Sequence, residues 1–259
     1  MRIWMRRGLA ALPWLAVAAV SCGIVVLALL PAAWVTPQFA RLTQGHVNLI
    51  DPSGSLWHGS ATLMFAAGPD QAAATVLPGR IEWRTAFWPL LAGKVRMNMR
   101  HSEAMPQPVT IDASLGGATL SPGDIVVPAA LLAGLGAPFN TLDLQGDVRV
   151  KWTQWHLFRN GTFGQIAVTL DDMSSRVSTV KPLGSYRVVY QAQGATATID
   201  LSTLKGPLLL SGHGTVARGG VSFHGEATAA PEARATLGGL LALLGQPVGT
   251  GAVALNFVR

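Results

Sequence analysis

Cysteine is almost missing from this chain of 259 residues. The one thiol, Cys22, lies inside a long apolar run. Intramolecular disulfides and zinc sites built from several thiolates are therefore excluded. The fold has to be held by the burial of apolar side chains and by backbone hydrogen bonds.

Charge is scarce as well, because only 12% of the residues are Asp, Glu, Lys or Arg. The chain has 29 glycines and 16 prolines, and this abundance of turn formers favours a β protein over a helical bundle. The net charge of +6 includes three arginines close to the N-terminus. No basic run with interleaved aromatic residues occurs, so nucleic acid is not a predicted partner.

The first part of the chain has no charged residue between Arg7 and Arg41. Residues 9–30 are apolar or small apart from Pro13, Ser21 and Cys22, and a helix of that length reaches roughly 33 Å, enough to cross a bilayer. Arg2, Arg6 and Arg7 precede this run, which puts the N-terminus in the cytoplasm by the positive-inside rule. We therefore predict a cytoplasmic segment at 1–8, a transmembrane helix at 9–35 and a domain across the membrane at 36–259.

Two processing alternatives compete with a retained anchor. A cleavable signal peptide has a shorter apolar region, and the only candidate cleavage site, at residues 31–33, fits poorly. A lipoprotein site at Cys22 is opposed by the eight further apolar residues that follow it. A retained anchor is the preferred interpretation.

The remainder of the chain shows the alternation of apolar and polar residues that is typical of strands. Its clearest example is residues 142–152, in which five successive polar side chains fall on one face. Asp51-Pro52-Ser53-Gly54 predicts a hairpin turn, and Asn160-Gly161 predicts another. Further predicted strands are 81–84, 94–100, 165–171, 186–190, 195–201, 208–217 paired with 221–228, and 251–258.

Short helices are predicted at 89–93, 128–136 and 231–245, with a possible waist near 137–141. The predicted fold is mainly β: one N-terminal transmembrane helix followed by an antiparallel, meander-like sheet with a few short helices.

No group of residues in the sequence predicts catalysis. Asp171-Asp172 diverge as strand neighbours, and a turn or edge position is the preferred interpretation. His213 and His224 could face each other across a hairpin, but a third metal ligand is missing.

Trp57-His58 is better explained as one buried and one outward strand residue than as a binding pair. Gly212-His213-Gly214 and Gly116-Gly117 lack the context of a phosphate loop. Arg84, Lys94, Arg96 and Arg100 form either a lipid-facing stripe or, preferably, a solvated sheet face. We predict no enzyme activity, no catalytic or metal-binding residue and no cofactor.

Several segments, taken in order, resemble a known family. They are the N-terminal span, Gly54-Ser55-Leu56-Trp57-His58-Gly59, the segment from Trp83 to Gly93 with Trp88-Pro89-Leu90-Leu91-Ala92-Gly93, Leu144-Gln145-Gly146-Asp147-Val148, Pro182-Leu183-Gly184-Ser185-Tyr186, and Leu240-Leu241-Ala242-Leu243-Leu244-Gly245. Together they resemble protein N of the bacterial type II secretion system.

The resemblance implies a single-pass protein of the bacterial inner membrane with a periplasmic β-rich domain. Such a protein is an accessory component of the machine that exports folded proteins across the outer membrane. Its implied partners are other secretion components and inner-membrane lipids. The family's domain is also similar to long β-sheet proteins that handle lipids, which makes lipid handling the second interpretation.

Overall fold

The computed structural model describes residues 21, 23, 25, 29–66, 74–135, 139–217, 219–248 and 251–258. The predicted span at 9–35 lies mostly outside the described residues. Among those residues, no helix has the length and apolar content needed to cross a bilayer.

The described strands form one antiparallel sheet, which confirms the mainly β prediction. In chain order they are β1 Val47–Gly54, β2 His58–Phe65, β3 Thr75–Val76, β4 Ile81–Ala86, β5 Lys94–His101, β6 Val109–Ser114, β7 Gly117–Leu120, β8 Gly123–Pro128, β9 Leu144–Trp152, β10 Trp155–Phe158, β11 Gly161–Ser175, β12 Gly184–Gly194, β13 Thr196–Lys205, β14 Leu208–Ala217, β15 Gly220–Ala229, β16 Gln246–Val248, β17 Ala252–Ala254 and β18 Phe257–Val258.

Most strands pair with a strand that neighbours them in the chain. β1 pairs with β2, β2 with β4, and the pairing continues through β5, β6 and β7. β7 pairs with β10 while β8 pairs with β9, and both β9 and β10 pair with β11. From β11 to β15 each strand pairs with the next, and β15 pairs with β17 and β18. The result is a long meander, as predicted.

Short helices lie before the first strand and in the connections between strands. α1 is Val35–Leu42, α2 is Trp88–Leu91, α3 is Phe139–Leu142 and α4 is Arg234–Leu244. The 3-10 helices are Ala32–Trp34, Ala129–Leu135 and Pro231–Ala233. Helices are predicted at 89–93, 128–136 and 231–245, and the structure has helical residues in all three places. The first and last residues of these helices differ from the predicted ones. The waist near 137–141 remains a prediction.

The predicted turn at Asp51-Pro52-Ser53-Gly54 is wrong. These residues belong to β1, and the pairing with β2 is irregular between Ile50 and Ser53. Asp51 has φ 49°, the left-handed conformation that produces a bulge. The actual turn is at residues 55–57, where Ser55 N–H donates to the His58 carbonyl.

The strand predicted at 142–152 begins two residues later than expected. Leu142 ends α3, and Asp143 has φ 42°, which redirects the chain into β9. The polar residues of β9 are exposed in alternation with partly or fully buried ones, as the sequence pattern predicts. The strand predicted at 251–258 is divided into β17 and β18, and β8 was not predicted at all.

The two faces of the sheet differ in chemistry. On the face that we call the inner face, two clusters of apolar side chains are buried. One contains Val148, Met173, Tyr186, Leu208 and the α4 residues Leu237, Leu240 and Leu241. The other contains Ala61, Leu63, Ile81, Trp83 and Leu131. Val127 packs against both clusters, so the core is continuous along the sheet.

Aromatic rings lie over cross-strand glycines at several places on the inner face. Trp83 is the direct partner of Gly59, and Trp152 is the partner of Gly123. A Cβ atom added to Gly59 would lie 2.4 Å from the Trp83 ring, and one added to Gly123 would lie 2.5 Å from the Trp152 ring. Only a residue without a side chain leaves room for a ring at these positions.

We predict that Gly59→Ala destabilises the fold by about 1–3 kcal/mol, because the added methyl group displaces the buried Trp83 ring. The measurement is urea unfolding of the purified chain in detergent, followed by tryptophan fluorescence. Gly116→Ala is the matched control, because its nearest non-neighbouring atom would be 3.8 Å from the new methyl group. Equal stability losses in the two variants would contradict this account of the glycines.

Candidate functional site

Among the described residues, no helix or loop covers part of the inner face, and this is the most prominent feature with functional potential. Its apolar residues belong to neither buried cluster and are partly exposed. We call this region the open inner face; it consists of Ile111, Leu120, Trp152, Trp155, Leu157, Ile166, Tyr190, Ile199, Val216, Val221 and Phe223.

An aromatic stack lies in the middle of the open inner face. The rings of Trp155 and Tyr190 are nearly parallel, at 7°, with centroids 6.1 Å apart. The Trp155 Nε1–H donates to the Gln165 carbonyl at 3.3 Å, and the Trp152 Nε1–H donates to the Ser121 carbonyl at 2.9 Å. Because both indole donors are used within the sheet, the face they leave open is chemically apolar. It suits acyl chains or apolar protein side chains.

The opposite, outer face is polar, as expected for a solvated sheet. Arg96 lies 2.6 Å from Asp112, and Arg100 lies 2.7 Å from Glu82. A cleft of about 470 Å³ on this face is lined by both charge signs, including Glu82, Arg84 and Arg100. The predicted basic stripe is therefore interrupted by carboxylates, which favours the solvated-face interpretation.

Asp171 and Asp172 lie at a bulge inside β11, so the predicted turn or edge position is wrong. Asp172 has φ 47° and lies 2.7 Å from the Lys205 ammonium. The hydrogen bond from Lys205, together with its charge, holds the pKa of Asp172 below its usual value. Asp172 therefore forms an ion pair with Lys205 on the surface, and this geometry does not resemble that of two catalytic carboxylates.

His213 and His224 are direct partners across the β14–β15 hairpin, as the sequence suggested. His213 Nδ1 lies 2.6 Å from Asp200 Oδ1, whereas His224 contacts Ser222 and Asn256 at 3.3 Å. Within the described ranges, no set of three histidine, cysteine or acidic residues has the arrangement of a metal site.

The remaining candidates from the sequence are Trp57-His58 and the two glycine motifs, and their positions in the structure do not indicate a binding site. Trp57 lies in the turn before β2 and is only partly buried, so its predicted buried strand position is wrong. Its ring packs edge-on against Phe87, with centroids 5.6 Å apart, while His58 is exposed at the start of β2, as predicted. Gly116 lies in the β6–β7 turn, Gly117 begins β7, and Gly212 to Gly214 lie inside β14, so neither glycine motif precedes a helix.

Residues 45–256 match the family model of type II secretion system protein N. The chain belongs to this family. The match begins after the apolar run and covers the whole described sheet except its C-terminal margin. No curated protein and no solved structure gives a match.

The segment Pro182 to Tyr186, the most distinctive part of the family resemblance, contributes buried residues to the core. Leu183, Gly184, Ser185 and Tyr186 are all buried. The Tyr186 hydroxyl donates to the Leu208 carbonyl at 3.1 Å, and burial raises the pKa of this phenol. The segment therefore anchors β12 in the core and does not form a reactive site.

The open inner face was not predicted from the sequence. Its residues alternate along separate strands, and they come together only when the register of each hairpin is known. The sequence shows glycines and aromatic residues in neighbouring strands, but the pairing of Gly59 with Trp83 and of Gly123 with Trp152 is known only from the structure.

Proposed function

We propose that this chain is an accessory inner-membrane component of the type II secretion system. In this proposal residues 1–8 are cytoplasmic and 9–30 cross the membrane. The chain from Pro31 onward lies in the periplasm, because Pro31 bridges Ser55 and Ala32 is buried in the core of the domain, so the predicted end of the span at residue 35 is too late. The domain supports the export of folded proteins across the outer membrane through protein–protein contacts. The family match over residues 45–256 is the observation that carries the proposal.

The connection between the anchor and the sheet supports a tethering role. The Leu56 N–H donates to the Leu30 carbonyl at 2.9 Å, and Pro31 forms a β-bridge with Ser55. The chain that leaves the apolar run is therefore bonded directly to the β1–β2 turn. This short connection fixes one end of the sheet close to the end of the predicted span.

The sheet edges limit how partners can pair with this domain. Pro52 lies in the edge strand β1 next to the bulge, and Pro247 lies in β16. Proline lacks the backbone N–H that an added strand would need, so these two edges resist β-augmentation. β18 has no proline, and we propose this segment, together with the polar outer face, as the contact region for other secretion components.

We predict that export requires the tether. Residues 1–28 are replaced by a cleavable signal sequence, which keeps Leu30 but releases the domain into the periplasm. Secretion of a type II substrate, measured as its activity in the medium, is expected to fall severalfold because the domain is no longer held beside the inner-membrane components.

The matched control carries an unrelated single-pass helix in place of residues 1–28 and is expected to restore secretion. Immunoblots confirm equal amounts of each form. Undiminished export by the released domain would contradict the tethering role.

A second function, lipid binding in the periplasm, is favoured by the open inner face. Its apolar character and the Trp155–Tyr190 stack suit acyl chains. In this alternative the polar outer face contacts solvent, while the inner face holds lipid.

The two faces provide a matched test of the lipid alternative. A photo-crosslinking amino acid at Ile199, on the inner face, is expected to capture phospholipid or lipopolysaccharide in cells. The same amino acid at Thr198, whose side chain points to the outer face, is expected to capture none. Mass spectrometry identifies the adducts, and an absence of lipid at Ile199 would exclude this function.

A further inference from the structure

We propose that one end of the sheet inserts its turns into the headgroup region of the membrane that holds the anchor. We call this the proximal end; its principal turns are residues 55–57 and 87–93. The occupant of this surface is a lipid bilayer that contains anionic headgroups. The inference rests on the proposed anchor and adds a second membrane contact to it.

The position of the anchor is the first argument. Leu30, the last residue of the apolar run, accepts the hydrogen bond from Leu56 in the first of these turns. If residues 9–30 cross the bilayer, this turn lies at the level where the span leaves the hydrocarbon region. The neighbouring turn at 87–93 is held at the same level, because Thr85 N–H donates to the Trp57 carbonyl at 2.8 Å and Thr85 Oγ1–H to the Leu56 carbonyl at 3.0 Å.

The chemistry of the second turn is the next argument. Its side chains are large, apolar and exposed: Trp88 is 78% exposed, Leu91 70% and Phe87 46%. Phe87 packs edge-on against Trp57 at 5.6 Å and against Trp88 at 6.0 Å, which makes one aromatic group of the two turns. Tryptophan favours the headgroup level, where its apolar ring is buried and its N–H remains hydrated.

The charges differ between the two ends of the sheet. The described turns of the proximal end contain no aspartate or glutamate, whereas Lys94 and Arg159 are exposed beside them. At the opposite end both charge signs occur: Asp143 lies 3.1 Å from Arg176, and Asp172 lies 2.7 Å from Lys205. Cationic side chains beside exposed apolar ones, with no carboxylate in the same described turns, match an anionic lipid surface.

Depth-dependent fluorescence quenching tests this inference on the full chain. Cys22→Ser removes the native thiol, and Leu91→Cys then carries an environment-sensitive fluorophore. The protein is reconstituted into vesicles of phosphatidylethanolamine and phosphatidylglycerol that contain a lipid spin-labelled near the headgroup. Val177→Cys, a comparably exposed apolar site in the β11–β12 turn at the opposite end, is the matched control.

We expect the fluorophore at position 91 to emit at shorter wavelength and to be quenched severalfold more strongly than the one at position 177. Adding Trp88→Glu is expected to reduce the quenching at position 91, because a carboxylate does not enter an anionic headgroup region. Replacing phosphatidylglycerol by phosphatidylcholine is expected to reduce it as well.

The outcomes separate this inference from the proposed function. Vesicles that retain the protein but leave position 91 unquenched would overturn membrane docking of the turn and keep the anchor. Equal quenching at both positions would overturn it too, because the sheet would then lie flat on the membrane. Protein that does not remain with the vesicles would overturn the anchor and, with it, this inference.

Discussion

The packing of aromatic rings over cross-strand glycines is the interaction on which the rest of this structure depends. Trp83 over Gly59 and Trp152 over Gly123 lie on the inner face of a sheet that has no disulfide to hold it. Each ring covers the bare backbone of the neighbouring strand and thereby joins the two strands. Since most pairings join strands that are neighbours in the chain, these local contacts contribute to extending the sheet.

The apolar inner face of the sheet is covered only in part. Helix α4 and the 3-10 helix Ala129–Leu135 cover two parts of the inner face, where Leu237 and Leu131 are buried. Between and beside these parts, Trp155 and Tyr190 stay partly exposed. The apolar inner face and the polar outer face give one domain two chemically distinct surfaces.

The sequence predicted those features that depend on local periodicity. The alternation in β9 and the face of α4 formed by Leu237, Leu240, Leu241 and Leu244 follow directly from side-chain direction in strands and helices. The bulge at Asp51 was misread as a turn, because Asp-Pro and Ser-Gly favour turns and bulges alike. The open inner face could not be predicted, because it depends on the register of neighbouring strands and on where α4 packs. Strand register and helix packing are tertiary properties, and they cannot be predicted from a single sequence by periodicity alone.

In-cell photo-crosslinking from the outer face tests the central claim, a secretion component that acts through protein contacts, most directly. The crosslinker is placed at Lys151 in β9 and at His213 in β14, both exposed, in cells that are secreting a type II substrate. Mass spectrometry identifies what is captured. The account predicts adducts with other components of the type II secretion system; capture of lipid alone at both positions, with no secretion protein, would contradict it.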